Sequence, residues 1–548
     1  MFIEPVFGKK FFGREDILAT LHKRVTAVKG GYRQNLALTG PMLAGKSSIL
    51  RHFLKTVKSS DILPVYVEMV GDDFRSFCER FMATLLYQYQ CLRGENATPP
   101  VELDPLRVAC RESIPSTVRQ IDEVLISLAR RRKNVAYEKL LDITSVFKAE
   151  TGKKCVIVLD EFHNLAGFGL KKPFQVFGKF IMVQKNTMYI VSSSQKTLLK
   201  EILSRKLSLL FGNFEVIEVN GFDNRTARSF IADKQVDILI PNNIENYMIQ
   251  LSQGNPFYLE TILKRYVHAA SAADDGIGKN PKACLMNSFS ELLYEANGVL
   301  NQYFSNTVNF FLEKKTRKQL IPILVSLARG NSRIKDIKGD MARADRELRV
   351  KLEQLRNMDL VYKSGIFYKV QDRLFEFWLK NVYGLKADAV VDEMDIKYLE
   401  FCHSVDSDFS EYCEFNLRSV TDIVSALFSS FHSEMVYIGT HQRKVPVLDA
   451  VTSRRISGNT NEIIGHAGGN AWVCHIKEGD IAEEADVALL ASFRVRGEGL
   501  KVSRRIMMPL NGIENNAFLL AKERNIWVWD IEQLNRILRL FGKFELAL

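Results

Sequence analysis

No two cysteines in the 548-residue chain are spaced as CxxC. The eight present (Cys78, Cys91, Cys110, Cys155, Cys284, Cys402, Cys413 and Cys474) are scattered, which speaks against a zinc ribbon or a disulfide framework and predicts reduced, mostly packed thiols. Also missing is any apolar run of the roughly 20 residues that a bilayer-spanning helix needs. The opening stretch MFIEPVFGKKFFGRED carries charges where a secretory signal has its apolar core, so a cytoplasmic protein without a membrane partner is expected. Acidic excess is lacking too: 75 Lys and Arg against 64 Asp and Glu leave a formal charge of +11. That excess suits an acidic partner or an ordinary solvated surface, and its distribution must decide. With 46% hydrophobic and 25% charged residues the composition is soluble and globular, and the length exceeds one core, predicting three or four domains.

What is there begins at NLALTGPMLAGKSSIL. An apolar run, Asn35 to Thr39, leads into Gly40-Pro41-Met42-Leu43-Ala44-Gly45-Lys46-Ser47-Ser48 and then an amphipathic helical pattern. This is GxxxxGKS in a strand–loop–helix context, the arrangement that cradles phosphates. Gly40 and Gly45 permit the backbone turns that aim successive N–H groups at phosphate oxygens at a helix N-terminus. Lys46 would reach the β- and γ-phosphates, and Ser47 would hold Mg²⁺.

A phosphate loop needs an acidic partner, and KKCVIVLDEFHNL supplies one. Cys155 to Leu159 reads as a buried parallel strand with Asp160 and Glu161 at its carboxyl end, where such sheets place ligands. Asp160 would contact Mg²⁺ through water and Glu161 would polarise the attacking water, so hydrolysis is predicted rather than binding alone. LPVYVEMV (63–70) and MYIVSSSQ (188–195) read as further strands of a doubly wound α/β sheet. The polar end of the second, Ser192 to Ser194, could place a hydroxyl beside the γ-phosphate, Ser192 being the candidate, or the serines could simply cap the next helix. The helical excursion of residues 92–150 contains ARRRK (129–133), readable as a solvated helix face.

Together FFGREDIL (11–18), GPMLAGKSS, VLDEFHNL, LLFGNFEVIEVNGF (209–222) and SQGNPFYL (252–259) resemble the archaeal-type ATPases, P-loop proteins close to the AAA+ and STAND groups. The resemblance implies ATP as the nucleotide and an ATPase core over residues 1–222. It places Gly13 and Arg14 at the entrance of the nucleotide pocket. It also implies a helical lid over 223–305, carrying Gly254-Asn255-Pro256, with Pro256 in the first turn of a helix. Arg205 is the candidate arginine finger, against the alternative of an exposed helix arginine, and whether the chain self-associates turns on it.

Residues 313–370 read as three helices (EKKTRKQLIPILVSLARG, SRIKDIK, DRELRVKLEQLRNMDLV) followed by a two-stranded wing, YKSGIFYKV, turning at Ser364-Gly365. That order is a winged helix, expected over 306–386. Residues 313–370 hold 15 Lys and Arg against 7 Asp and Glu, so 15 − 7 = +8 of the +11 falls here. The concentration predicts contact with the phosphates of duplex DNA, unless the segment only packs on the ATPase. In DRLFEFWLKNVYG (372–384), Leu374, Phe377, Trp378 and Val382 recur at helical spacing and are expected in the core.

Past ADAVVDEMD (387–395) the order is a helix, the strands EMVYIGT and KVPVLDAV, a loop SRRISGNTNEIIGHAGGN, the strand AWVCHIK, and late elements including AFLLAKERNIWVWDI. This resembles the restriction-endonuclease-like domain attached to many archaeal-type ATPases, over residues 387–548. The resemblance implies a site of Asp449, His475 and Lys477, with Glu414 able to add a carboxylate. His475 stands where that pattern has an acid. Mg²⁺ prefers oxygen ligands, so the imidazole points to a degenerate, non-cleaving domain or to a softer metal such as Mn²⁺ or Zn²⁺. His466 and Glu478 lie near in sequence without ligand spacing. Two readings follow: an ATP-driven motor or switch acting on DNA, or a regulatory NTPase whose C-terminal domain serves protein interaction.

Overall fold

The computed structural model describes residues 4–546 other than 58, 70–72, 96–101, 208–211, 213, 235–237, 272–279, 313–317, 342–343, 389–392, 439–440 and 495–500. Val70 of the expected second strand, Leu209 to Phe211 and Asn213 of the family-like stretch, residues 313–317 of the expected first basic helix and 389–392 of the expected boundary therefore lie outside the described residues. The chain divides into two compact units, Met1–Phe222 with Asn255–Phe257, and Asp223–Gly254 with Tyr258–Leu548.

The first unit is built on five parallel strands: β1 (Asn35–Thr39), β2 (Ile62–Glu68), β3 (Lys154–Asp160), β4 (Thr187–Ser193) and β5 (Phe214–Glu218), in the order β2-β3-β4-β1-β5. The apolar runs sort by position in the sheet. β1 and β4 are buried at every residue, as strands covered on both faces must be, whereas the edge strands β2 and β5 alternate toward solvent. One layer sets Leu21, Ile49, Leu50 and Phe53 under Leu36, Leu38, Val156 and Ile190. The opposite layer packs Phe74, Phe77, Phe81, Phe147 and Phe177 on Val65, Ile157 and Tyr189. At the end of β1, Gly40 runs so close to the β5 side that a Cβ there would overlap the Val219 carbonyl.

The excursion after β2 forms the helices Leu103–Cys110, Pro115–Ala129 and Lys133–Thr151. Here the reading of ARRRK as a helix face is corrected. Arg130 to Arg132 form the turn between two helices, with Arg131 in the left-handed region at φ 57°.

In the second unit, the helices Ile321–Ala328, Ile334–Asp340 and Asp345–Asn357 are followed by an antiparallel pair, β6 (Val361–Ser364) and β7 (Phe367–Val370). Leu348, Leu352 and Leu355 bury one stripe of the third helix, leaving Arg346, Arg349 and Arg356 exposed. The β6–β7 turn is not free: Ile366 N donates to Met435 O (3.3 Å), Tyr437 N donates to Ser364 Oγ (3.1 Å), and Phe367 sits in the core of the C-terminal region. Leu374, Phe377, Trp378 and Val382 are all buried, in a helix Arg373–Trp378 that continues as a wider turn to Gly384.

Next come the helices Met394–Leu417 and Val420–Ser429, parted at Ser419, whose hydroxyl accepts from Asp422 N, so the single helix expected here is two. A small pair, β8 (Met435–Ile438) and β9 (His441–Lys444), precedes a second five-stranded sheet. Its strands are β10 (Ala450–Ser457), β11 (Thr460–Ala467), β12 (Asn470–Lys477), β13 (Lys501–Pro509) and β14 (Trp527–Val528), in chain order across the sheet. β10, β11 and β12 pair antiparallel, and β12, β13 and β14 pair parallel. Two expectations fail here. KVPVLDAV is no single strand, since Val445 to Asp449 lie between β9 and β10, and the expected loop SRRISGNTNEIIGHAGGN is the β10–β11 hairpin with its flanking turns. The polar, glycine-containing sequence suggests a loop, but Gly458 supplies only the tight turn, while Ile463 is buried in an apolar layer of the sheet. Trp472, Cys474 and Ile476 face one apolar layer, and Val473 the other.

Gly365, at φ 61°, has the Met435 carbonyl where a Cβ would stand. Gly365→Ala is expected to lower stability by about 1–3 kcal/mol, seen as a lower midpoint in thermal unfolding.

Candidate active site

The phosphate-loop sequence folds as its glycines demand. Leu43 (φ 63°) and Gly45 (φ 93°) both take the left-handed conformation, and the helix Lys46–Thr56 starts immediately after. Lys46 is 5% exposed, and its Nζ donates to Gly40 O (2.9 Å) and Pro41 O (2.8 Å), turned back on the loop. Burial lowers its pKa, opposed by the nearby charges of Glu161 and Asp160. Ala44 is buried, whereas Met42 is exposed. Ser48 belongs to a different contact, its Oγ accepting from Val6 N at 3.0 Å.

Asp160 is fully buried and is the meeting point of the site. Ser47 Oγ donates to Oδ2 at 2.5 Å, and so does Tyr66 OH, also at 2.5 Å. Ser192 Oγ and the Glu161 N–H donate to Oδ1. Register explains the gathering: β2 and β4 flank β3, and Glu68, two residues beyond Tyr66, lies level with Asp160. The phenol of Tyr66 is pushed far up by burial and by Asp160, so it stays a donor.

Glu161 follows in the left-handed region at φ 52°, which turns its side chain out of the strand direction. Its Oε2 accepts from Ser194 N (3.0 Å) and Ser194 Oγ (2.8 Å), and lies 3.2 Å from His163 Nδ1. Burial holds His163 below the ordinary histidine range, and Ser193 Oγ lies 2.9 Å from the same Nδ1. Ser192 thus faces Asp160, and the hydroxyl next to Glu161 belongs to Ser194.

Gly13 and Arg14, both at positive φ, turn the Arg14 guanidinium onto Asn220 O (2.5 Å) and Ala44 O (3.4 Å), with its Cζ 4.7 Å from the Phe222 ring centre. The segment after β5 is thereby clipped to the phosphate loop. Asn255 Nδ2 donates to Met42 O (3.3 Å), and Pro256 Cγ would lie 3.9 Å from a Cβ on Gly45. Arg205 is elsewhere: its side chain is 80% exposed and pairs with Glu201 at 4.0 Å on the same helical segment.

The donor set suits a triphosphate and a hard divalent cation. Helix-start N–H groups and a buried ammonium meet anions, and the Ser47 hydroxyl and the Asp160 and Glu161 carboxylates beside the loop are oxygen donors of the kind Mg²⁺ prefers. Two neighbours, Tyr66 and His163, are missing from the sequence reading, and Ser194 was in it only as one of the three serines at the end of β4. The alternation of VYVE on an edge strand is the one signal that could have pointed to Tyr66.

The second sheet does not gather the four residues assigned to it. Asp449 N donates to His466 O (2.7 Å) and its carboxylate accepts from Gly468 N (2.9 Å), level with the start of β12, whereas Lys477 ends that strand opposite Thr460. Six residues of strand put them roughly 20 Å apart. Glu414 is exposed on the helix Met394–Leu417. The neighbours of His475 and Lys477 are instead Glu462 on β11 and Asp486. Glu462 is fully buried, 3.3 Å from His475 Nε2 and 2.5 Å from Arg454 Nε, and Lys477 Nζ donates to Asp486 at 3.0 Å. Burial lowers the His475 pKa, so the imidazole is neutral and the four charges cancel. Glu462 was hidden in the stretch read as a loop.

Residues 10–169 match the family model of the AAA ATPase domain, and this part of the chain is an AAA-type P-loop ATPase domain. No curated protein is found to match the chain. Among solved structures, the Walker-type ATPase PABY2304 of Pyrococcus abyssi aligns at 17% identity and a TM-score of 0.46, covering 68% of this chain and 97% of that one. The ORC2 protein of Aeropyrum pernix, solved in ADPNP–ADP complexes, aligns at 10% identity and a TM-score of 0.42, covering 71% and 98%. Likenesses at this level carry nothing about activity or partners. Among the described residues no helix is long and apolar enough to cross a membrane.

Tyr66→Phe removes one of the donors on the buried Asp160 carboxylate. A loss of about 1.5–3 kcal/mol is expected in the nucleotide-free protein, measured by denaturant unfolding, and a smaller loss when Mg²⁺ and ATP are present.

Proposed function

We propose that the chain binds and hydrolyses ATP at the phosphate loop and couples that cycle to duplex DNA. One observation carries the ATPase reading: Ser47, Asp160 and Glu161 lie together beside the loop, with Ser47 Oγ 2.5 Å from Asp160. In this reading the backbone N–H groups of Gly40 to Ser48, other than at Pro41, which has none, and the Lys46 ammonium hold the phosphates, Arg14 and Pro256 border the pocket, and Ser47 and Asp160 hold Mg²⁺. The metal would offset phosphate charge. Glu161 orients the attacking water and takes its proton, once its carboxylate leaves the donors on Ser194. Ser192 positions Asp160. Arg205, exposed, is the residue a second copy would receive if the chain self-associates.

The DNA part rests on the +8 charge of residues 313–370. We read the segment as a winged helix whose exposed third helix, with Arg346, Arg349 and Arg356, meets phosphates. The domain order proposed is an ATPase core to residue 222, a helical lid to 305, the winged helix to 386, and a restriction-endonuclease-like domain beyond.

Lys46→Ala is expected to reduce ATP turnover to background, and Glu161→Gln to reduce it by about a hundredfold or more while nucleotide binding persists. Unchanged turnover in Lys46→Ala would remove the reading. Duplex DNA is expected to stimulate turnover, less so as salt rises. Indifference to DNA would favour the second reading, a regulatory NTPase with a non-catalytic C-terminal domain. A specific observation favours that domain's inactivity: Arg454 and Asp486 already neutralise Glu462 and Lys477. DNA accordingly is expected to stay intact with Mg²⁺ or Mn²⁺.

A further inference from the structure

Beside β2, lined by none of the loop residues Gly40 to Gly45, lies a cavity of about 590 Å³, within the range of small-molecule sites. It is lined by the helix Lys46–Thr56, by β2 and by the helix Phe74–Leu92, all within the first unit. Three cations line it, Arg51, Lys55 and Arg80, against one acid, Glu68. Arg51 lies on the cavity wall against Tyr66 and Glu68. Its Nη2 lies 3.8 Å from Glu68 Oε2, at the limit of an ion pair, and its Nε is buried without a hydrogen-bond partner. Aromatic surface flanks the charges: the Arg51 Cζ is 4.3 Å from the Tyr66 ring centre, and Lys55 Nζ is 3.4 Å from that of Phe7. Net positive charge, an unsatisfied guanidinium N–H and two rings make a site for an anion with an apolar body.

The cavity shares one residue with the active site. Tyr66, under Arg51, sends its hydroxyl to Asp160. We propose that this cavity binds a small phosphate monoester, its phosphate held by Arg51, Lys55 and Arg80, and that binding is felt at Asp160 through Tyr66. Drawing Arg51 toward a phosphate takes its charge off the Tyr66 ring and changes how firmly the phenol holds the carboxylate. The site regulates the ATPase reading above and rests on it for its effect, though not for binding.

Phenyl phosphate is the probe, titrated calorimetrically into the full chain carrying Lys46→Ala, which disables the phosphate loop. Binding is expected to persist there and to weaken about tenfold when Lys55→Gln or Arg51→Gln is added. Lys55 is exposed, so its variant tests the site even if the Arg51 variant fails to fold. In the unsubstituted chain, phenyl phosphate is expected to shift the Mg²⁺ concentration that half-saturates ATP turnover, and Tyr66→Phe is expected to abolish that shift. Absence of binding, binding lost with Lys46→Ala, or binding indifferent to Lys55→Gln and Arg51→Gln would overturn the site. A Mg²⁺ dependence unmoved by phenyl phosphate, or moved equally in Tyr66→Phe, would overturn its coupling. If the chain does not hydrolyse ATP at all, the titrations still decide the site.

Discussion

The first unit turns on a single buried carboxylate. Removing a charge from water costs several kcal/mol unless every lone pair finds a donor, and Asp160 finds four. Ser47 comes from the helix after β1, Tyr66 from β2 and Ser192 from β4, while Glu161 follows Asp160 on β3. Four adjacent strands are thus tied at one point, and their order β2-β3-β4-β1 is what allows it. A cation binding there inherits a carboxylate already aimed and held, with little left to reorganise.

Glu161 is arranged by the opposite means. Where Asp160 is fixed by saturation, Glu161 is turned aside by its positive φ and held by one neighbour, Ser194, with His163 near. The two hydrogen bonds from Ser194 hold the Glu161 carboxylate aside, so the group that must accept a proton is restrained until it leaves them. The adjacent residues of one dipeptide therefore do separate jobs because β3 ends between them.

Much of this was legible in the sequence because it depends on local rules. The strand–loop–helix around Gly45-Lys46 and the Asp-Glu pair ending an apolar run are spelled out by neighbours in the chain. Tyr66 and His163 were not legible, and the choice of Ser194 among the three serines at the end of β4 was not either, because these roles come from strand register and from the backbone twist at Glu161. The same limit explains the second sheet. Strand boundaries at residues 445–470 follow pairing partners rather than composition, so Asp449 falls at one end of β12 and Lys477 at the other. Glu462 takes the place beside His475, in a stretch whose polar residues read as a loop.

The β6–β7 turn offers a last point. Gly365 rests on the Met435 carbonyl, Phe367 packs with Phe541, and the largely buried Arg539 donates to Val370 O at 2.8 Å. Three fastenings along one short hairpin make it a strut rather than a flap. A load on the helix Asp345–Asn357 would bear directly on the strands and the last helix behind it, so residues 321–370 and the second sheet should turn as one stiff piece, transmitting torque without a slack joint.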